Sequence, residues 1–307
     1  MINKPKILII ADVKGWIFER HALYLKDNLS NFYEISIIYK VEVPSIKENL
    51  WDLIYPLEWN LITNEIINNS SKWVTGIRSH VSWEDYGIDS VSRFLREKYS
   101  MVHTVSLRLY ELFKNYHPNL HVLTHGINIE HFSTDVNISN KTGEIKVGWA
   151  GNKAGLQKGF DDFIKPLENI PGINLNYCGY SNTLLDYKNM RLFYEEIDIY
   201  ICTSISEGNN NSLMEAAAMG RAIITTDVGT VPEYLEQGFS ALIVDRRFES
   251  IKYAVELLRD NPALRLMLAK NAKNSVRKFS WSNKITEYRQ FFDIALSKVN
   301  YNPLTNS

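Results

Sequence analysis

The sequence predicts an α/β chain made of two Rossmann-like, doubly wound, mostly parallel sheets, one in each half. Two observations carry that prediction. Short runs rich in Ile, Val and Tyr alternate with segments of helical periodicity, the pattern of parallel strands joined by crossover helices. The alternation breaks at Ser133-Thr-Asp-Val-Asn-Ile-Ser-Asn-Lys-Thr-Gly143, which is polar, lacks periodicity and reads as an interdomain linker. The expected division is therefore a first domain over 1–140 and a second beginning at 141.

In the first part, strands are expected at Ile7 to Ala11, Glu34 to Tyr39, Asp52 to Leu57, Trp73 to Ile77, Met101 to Ser106 and His121 to His125. Helical segments fall near Trp16 to Leu29, Trp59 to Asn68, Asp89 to Tyr99 and Ser106 to Tyr116. The second part repeats the pattern, with strands at Ile145 to Trp149, Ile173 to Cys178, Ile197 to Cys202, Ala222 to Thr226 and Ala241 to Val244. Helices near Phe248 to Asp260, Pro262 to Lys278 and Trp281 to Lys298 close the chain.

Composition narrows the function. The chain has 307 residues, 45% hydrophobic and 22% charged, enough for two ordinary cores. Up to residue 140 there are 14 Lys and Arg against 16 Asp and Glu, and beyond it 20 against 19, so neither half is a basic surface for nucleic acid. Cys178 and Cys202 fall in expected buried strands and read as small core residues. No His pair has metal-ligand spacing. Met1-Ile-Asn-Lys-Pro runs straight into a strand, and no apolar stretch approaches the roughly 20 residues that span a bilayer. A cytoplasmic protein is expected, with any membrane contact at the inner face.

The segment richest in chemistry is Ser206-Glu207-Gly208-Asn209-Asn210-Asn211-Ser212-Leu213-Met214-Glu215-Ala216-Ala217-Ala218-Met219-Gly220. It follows the apolar run Ile197 to Cys202, so it lies at the carboxyl end of a strand, where open α/β sheets bind ligands. Ser212 and Glu215 have capping-box spacing, which predicts a helix starting at Ser212 and ending at Gly220. Such a start directs backbone N–H groups at the loop and suits a phosphate. The three asparagines tolerate the left-handed backbone that a nest of N–H groups requires.

Glu207 and Glu215, with their flanks, resemble the E-x(7)-E signature of retaining glycosyltransferases of family 4, which have the GT-B fold. Ala222-Ile-Ile-Thr-Thr-Asp-Val-Gly-Thr-Val-Pro-Glu233 resembles the family's strand and Gly-Gly-x-x-Glu turn, with Thr230 where a second Gly is usual. Val147-Gly148-Trp149-Ala150-Gly151 followed by Lys158-Gly159 resembles its phosphate-binding region. His125-Gly126-Ile127-Asn128 resembles the segment before its second domain. The resemblance is strong from about His125 to Phe292.

The resemblance implies two domains facing a central cleft that closes on binding, the second over 141–285, with Trp281 to Phe292 and the helix and tail over 286–307 crossing back to the first. It implies a retaining, metal-independent transfer of sugar from a nucleotide-activated donor, a UDP sugar being the expected form, to a glycan, lipid-linked glycan or small molecule. No other cofactor is implied. Lys158 would stabilise the departing diphosphate, Glu215 would accept hydrogen bonds from the ribose and Glu207 would meet hydroxyls of the sugar. The backbone of Gly208, Asn209, Asn210, Asn211, Ser212 and Leu213 would add phosphate contacts. Gly148, Trp149 and Lys153 are expected beside the donor: Trp149 stands where the family commonly has an Arg, so Lys153, or the backbone around Gly148, Gly151 and Asn152, would replace that cation.

In the first domain the expected site residues are Gly15, in Asp12-Val-Lys-Gly15-Trp16, and His80, at the place of a family histidine that contacts the sugar. Arg78 could serve an anionic group. Trp16, Phe18, Trp51, Trp59 and Trp83 suit either a carbohydrate or lipid groove or a core. Two other readings stay open: a non-catalytic sugar-nucleotide or glycan binding protein, and an epimerase of the same fold. A retaining glycosidase would need two carboxylates about 5 Å apart across the scissile bond.

Overall fold

The computed structural model describes residues 4–179 and 187–299. The chain divides into two compact units, Met1–Gly126 with Trp281–Ser307, and Ile127–Ser280.

The first unit begins with β1 (Lys6–Ala11), α1 (Ile17–Leu29), β2 (Glu34–Tyr39), β3 (Leu53–Pro56) and β4 (Val74–Ile77). It continues through α2 (Val81–Glu84), α3 (Ile88–Lys98), β5 (Met101–Thr104), α4 (Leu107–Phe113) and β6 (Leu120–Val122). All strand pairs are parallel, in the orders β2-β1-β3 and β4-β5-β6, and a parallel bridge from Ile54 to Trp73 joins the two sets. The apolar run of β1 serves both faces of this sheet. Ile7, Ile9 and Ala11 pack with Ala22 and Leu25 of α1, while Leu8 and Ile10 pack with Val91 and Leu95 of α3. Burial on both sides explains why β1 shows no polar alternation.

The helix expected over Trp59 to Asn68 does not form; that region holds 3-10 turns at Trp59–Leu61, Asn64–Ile66 and Ser70–Lys72. The Glu48 carboxylate accepts from the amides of Asn68 at 2.8 Å and Asn69 at 3.1 Å, and Asn69 Oδ1 accepts from the Ser71 amide. Side chains thus take the N–H groups that a longer helix would have used. The last strand of this unit begins one residue and ends three residues earlier than expected, at Leu120–Val122.

The second unit contains β7 (Ile145–Ala150), β8 (Ile173–Cys178), α5 (Tyr187–Glu195), β9 (Ile199–Cys202), α6 (Asn211–Ala218) and β10 (Ala222–Thr225). It then adds α7 (Val231–Tyr234), β11 (Leu242–Ile243), α8 (Phe248–Asp260) and α9 (Pro262–Val276). Its parallel sheet has the order β11-β10-β9-β7-β8. From β7 the chain goes outward to β8 on one side and then to β9 on the other. The sheet order therefore reverses between β7 and β9, the switch point at which open sheets bind ligands.

After β7 there is a 3-10 turn Leu156–Lys158, a π-helical turn Phe160–Ile164 and a 3-10 turn Lys165–Asn169, in place of a regular amphipathic helix. Stretch 133–143 has no helix or strand and lies within the second unit. Two buried arginines fasten it. Arg221 donates to Asn137 O at 2.9 Å and Ile197 O at 2.8 Å, and Arg265 donates to Ser139 O at 2.6 Å and Lys141 O at 2.8 Å. The final helix, α10 (Trp281–Lys298), belongs to the first unit, where Tyr288, Phe292 and Ala295 pack with Ile7, Ile9 and Leu25.

Candidate functional site

Lys158 and Glu207 come from the loops that follow β7 and β9, the two strands of the switch point. The Lys158 ammonium donates to Oε1 of Glu207, with side-chain exposures of 30% and 15%. Ser204 Oγ donates to the same oxygen at 2.7 Å and Asn210 Nδ2 at 3.3 Å. Burial opposes the charge on Lys158, yet Glu207 beside it holds its pKa above the ordinary lysine value.

The two loops are tied to each other by backbone as well. Thr203 Oγ1 donates to Lys158 O at 2.6 Å. The Arg246 guanidinium donates to Thr203 O at 2.8 Å and Leu156 O at 3.1 Å. Gly159 turns the chain after Lys158 with φ of 66°, and a Cβ there would lie 2.5 Å from the Phe163 ring. Glycine at 159 is therefore a requirement of the turn.

Helix α6 starts two residues earlier than the capping-box spacing predicts. Its N-cap is Asn210, not Ser212, and Asn210 Oδ1 accepts from the Leu213 amide at 3.1 Å. Leu213 is fully buried in the core and its amide is occupied by the cap, which removes it from the expected phosphate contacts. Asn211 and Ser212 form the first turn, ahead of the first i to i+4 bond, from Met214 N to Asn210 O. The helix ends at Gly220 as expected, with φ of 67°.

Glu215 does not close a capping box. It lies on the buried side of α6, 7% exposed, and its Oε2 accepts from Tyr194 Oη of α5 at 2.8 Å. Burial and the neighbouring Glu215 keep the Tyr194 phenol far above its ordinary pKa, so it stays a neutral hydrogen-bond donor. The same two causes push the Cys178 thiol up to about 12, consistent with a core residue and not a nucleophile.

A third loop, after β10, backs the Glu207 loop. Gly229 has φ of 50°, and a Cβ there would lie 2.5 Å from Gly208 O and 2.7 Å from Glu207 O. Thr230, at φ of −81°, needs no glycine; its hydroxyl donates to Asn209 Oδ1 at 2.6 Å. The departure from the family's second Gly thus gives the loop a side-chain anchor.

Three expected site residues near β7 have other tasks. Trp149 is 2% exposed and packs on Phe160 at 4.9 Å between ring centroids, sharing a core face with Ile145 and Val147. Gly148 lets the Ile197 side chain approach β7 closely. The Lys153 ammonium sits 3.7 Å from the Tyr177 ring centroid and 5.0 Å from that of Phe160, a cation–π position.

In the first unit, Gly15 follows β1 in open space, with φ of 83°, and its amide donates to Glu19 Oε2 at 2.6 Å. Glu19 also accepts from Tyr39 Oη, so the loop after β1 is pinned to the end of β2. His80 precedes α2 and is 8% exposed, and burial lowers its pKa. Arg78 is a core residue and not an exposed anion site: it donates to Tyr55 Oη at 2.8 Å and Tyr288 Oη at 3.1 Å. Among the aromatics, Trp59 is core at 6% exposure whereas Trp16 is 42% exposed.

The second unit therefore offers one cation and one carboxylate at the switch point, the start of a helix beside them, and a second carboxylate held by a phenol. Such a set suits an anionic group flanked by hydroxyls. Among the described residues, no cluster of His, Cys, Asp and Glu could hold a metal ion, and no helix is long and apolar enough to cross a membrane.

The fold is that of GT-B glycosyltransferases. The structure is similar to sucrose-phosphate synthase from Thermosynechococcus elongatus, with a TM-score of 0.79 at 12% identity, covering 96% of this chain and 100% of that one. It is also similar to Anabaena HepE in complex with UDP and glucose, with a TM-score of 0.75 at 13% identity, covering 94% and 100%.

Residues 156–275 match the family model for glycosyl transferases group 1, so the second unit carries a domain of that kind. Over 138 residues the chain is 28% identical to an uncharacterized glycosyltransferase of Methanocaldococcus jannaschii, covering 44% of this chain and 35% of the relative. Over 106 residues it is 26% identical to the Campylobacter jejuni N,N'-diacetylbacillosaminyl-diphospho-undecaprenol alpha-1,3-N-acetylgalactosaminyltransferase, covering 34% and 28%. The chain spans about a third of the length of these curated relatives.

Proposed function

We propose that the chain is a retaining, metal-independent glycosyltransferase of family 4 that takes sugar from a UDP sugar or related nucleotide donor and gives it to a glycan or lipid-linked acceptor. The observation that carries this reading is the Lys158–Glu207 pair at the switch point of a group 1 domain, with Glu215 buried on the adjoining helix. The UDP and glucose named for HepE and the lipid-linked substrate named for the Campylobacter relative agree with it.

In this reading Lys158 and the first turn of α6 meet the diphosphate, whose charge grows as the sugar departs. Glu215, steadied by Tyr194, accepts from ribose hydroxyls. Glu207 accepts from hydroxyls of the sugar. The acceptor attacks on the face that the diphosphate leaves, and a diphosphate oxygen takes the acceptor's proton, so neither glutamate acts as a nucleophile. The protein contributes position and electrostatics.

A thermal-shift screen with UDP, GDP, ADP, CMP and dTDP, with magnesium or EDTA, tests this reading. One diphosphate should raise the melting temperature equally in both conditions, because it binds only the native state. Incubation of its sugar conjugate with candidate acceptors should then yield a product of unchanged anomeric configuration. Nucleotide release without an acceptor would favour an epimerase instead.

A further inference from the structure

Among the described residues, every hydrogen bond to the Glu207 carboxylate ends on one oxygen. Lys158, Ser204 and Asn210 all donate to Oε1, and among the described residues no donor reaches Oε2. Asn210 does more than contribute one of those bonds. Its Nδ2 also donates to Cys202 Sγ at 3.1 Å, while the Cys202 thiol points to Ser204 Oγ at 3.5 Å. Cys202, Ser204, Glu207 and Asn210 thus form a closed ring of hydrogen bonds, anchored on the last residue of β9. At the same time Asn210 Oδ1 caps α6. One amide therefore fixes the direction of the Glu207 carboxylate relative to the helix that carries Glu215.

A carboxylate oxygen that accepts three bonds has no lone pair left for a ligand, so the other oxygen must do the recognising. We propose that Asn210 is a positioning residue: with Ser204 it saturates Oε1 of Glu207 and leaves Oε2 alone to accept from a hydroxyl of the nucleotide-bound sugar. This inference rests on the proposed function. It assigns the side chain of Asn210 to holding Glu207 and capping the helix, beside the backbone contact to phosphate that the resemblance implies. An amide is needed for both tasks. Its oxygen caps and its nitrogen holds, and a glycine at this place would do neither.

The two tasks can be separated by substitution. Asn210→Asp keeps an N-cap oxygen, and aspartate caps as well as asparagine. It removes the N–H group and places a carboxylate beside Glu207. The expected result is a variant that still melts cooperatively and whose affinity for the nucleoside diphosphate alone falls by much less than its affinity for the nucleotide sugar. KM for the nucleotide sugar should rise, or kcat fall, at least tenfold. Ser204→Ala should shift the same constants in the same direction by a smaller factor.

Asn210→Asp with wild-type kcat and KM for the nucleotide sugar would overturn the inference while leaving the proposed function standing. Equal loss of affinity for diphosphate and nucleotide sugar would also overturn it, since the residue would then serve the phosphate side. A wild-type protein that binds no nucleotide sugar in the same assay would overturn the proposed function, and this inference with it.

Discussion

The Lys158 ammonium and Oε1 of Glu207 form an ion pair between the loops that follow β7 and β9, so that each charge is neutralised by the other. A diphosphate that recruits Lys158 must compete with Glu207 for it. Lys158→Ala is therefore expected to lower turnover by about 10²- to 10³-fold, the usual effect of removing one preorganised donor to a developing anion. Affinity for the diphosphate should fall much less. Steady-state kinetics beside calorimetric titration separates the two.

Tyr194→Phe removes the hydroxyl that holds Oε2 of Glu215. A hydrogen bond to a charged group contributes about 1.5–3 kcal/mol, so the variant should lose stability on that scale. Its affinity for nucleotide should also weaken severalfold as Glu215 loses its orientation. Urea unfolding and titration with nucleoside diphosphate measure the two effects separately.

Gly229→Ala places a methyl group against the carbonyls of Glu207 and Gly208, at a φ of 50° that disfavours any side chain. Strain of this kind costs about 1–3 kcal/mol. The Glu207 loop is the part that would move, so activity should fall by more than stability predicts. Thr230→Gly, which only removes the bond to Asn209, should have the milder effect.

Stability should depend on pH through groups in the first unit. Glu58 is 5% exposed, and burial pushes its carboxyl up to about 8, although the Arg78 amide donates to it at 2.9 Å. The folded protein keeps that proton longer than the unfolded chain, so the stability it contributes is present below about pH 4.5 and is lost as pH rises toward 8. His21 and His103 act oppositely, since burial holds both well below 6.5, and their contribution is lost as pH falls below that value. Glu58→Gln should flatten the decline between pH 6.5 and 8, as followed by thermal melts across that range.

Much of this fold was legible because strands buried on both faces leave long apolar runs and the resemblance fixed the second half. The helix cap was not. Asn209, Asn210, Asn211 and Ser212 are all competent N-caps, and what selects Asn210 is the burial of Leu213, a tertiary fact. Trp149 is a core residue, and a signal for that was present: Ile145, Val147 and Trp149 alternate along β7 and share the core face. Lys153 gave no such signal, because its partner ring, Tyr177, is on another strand. Nor did Arg221 and Arg265, whose acceptors are main-chain carbonyls, including those of a stretch 84 to 126 residues away in sequence. The helix expected over Trp59 to Asn68 failed for the same reason, since Glu48, outside the segment, captures the amide of Asn68 at its end and that of Asn69 just beyond it.

The most direct test of the central claim is calorimetric titration of the nucleoside diphosphate that emerges from the screen into wild type and Glu215→Ala, in EDTA. A single saturable site in wild type, weakened at least tenfold in a variant that still melts cooperatively, is the predicted result. Absence of binding by all five nucleotides, or equal affinity of the two proteins, would contradict the assignment of this site.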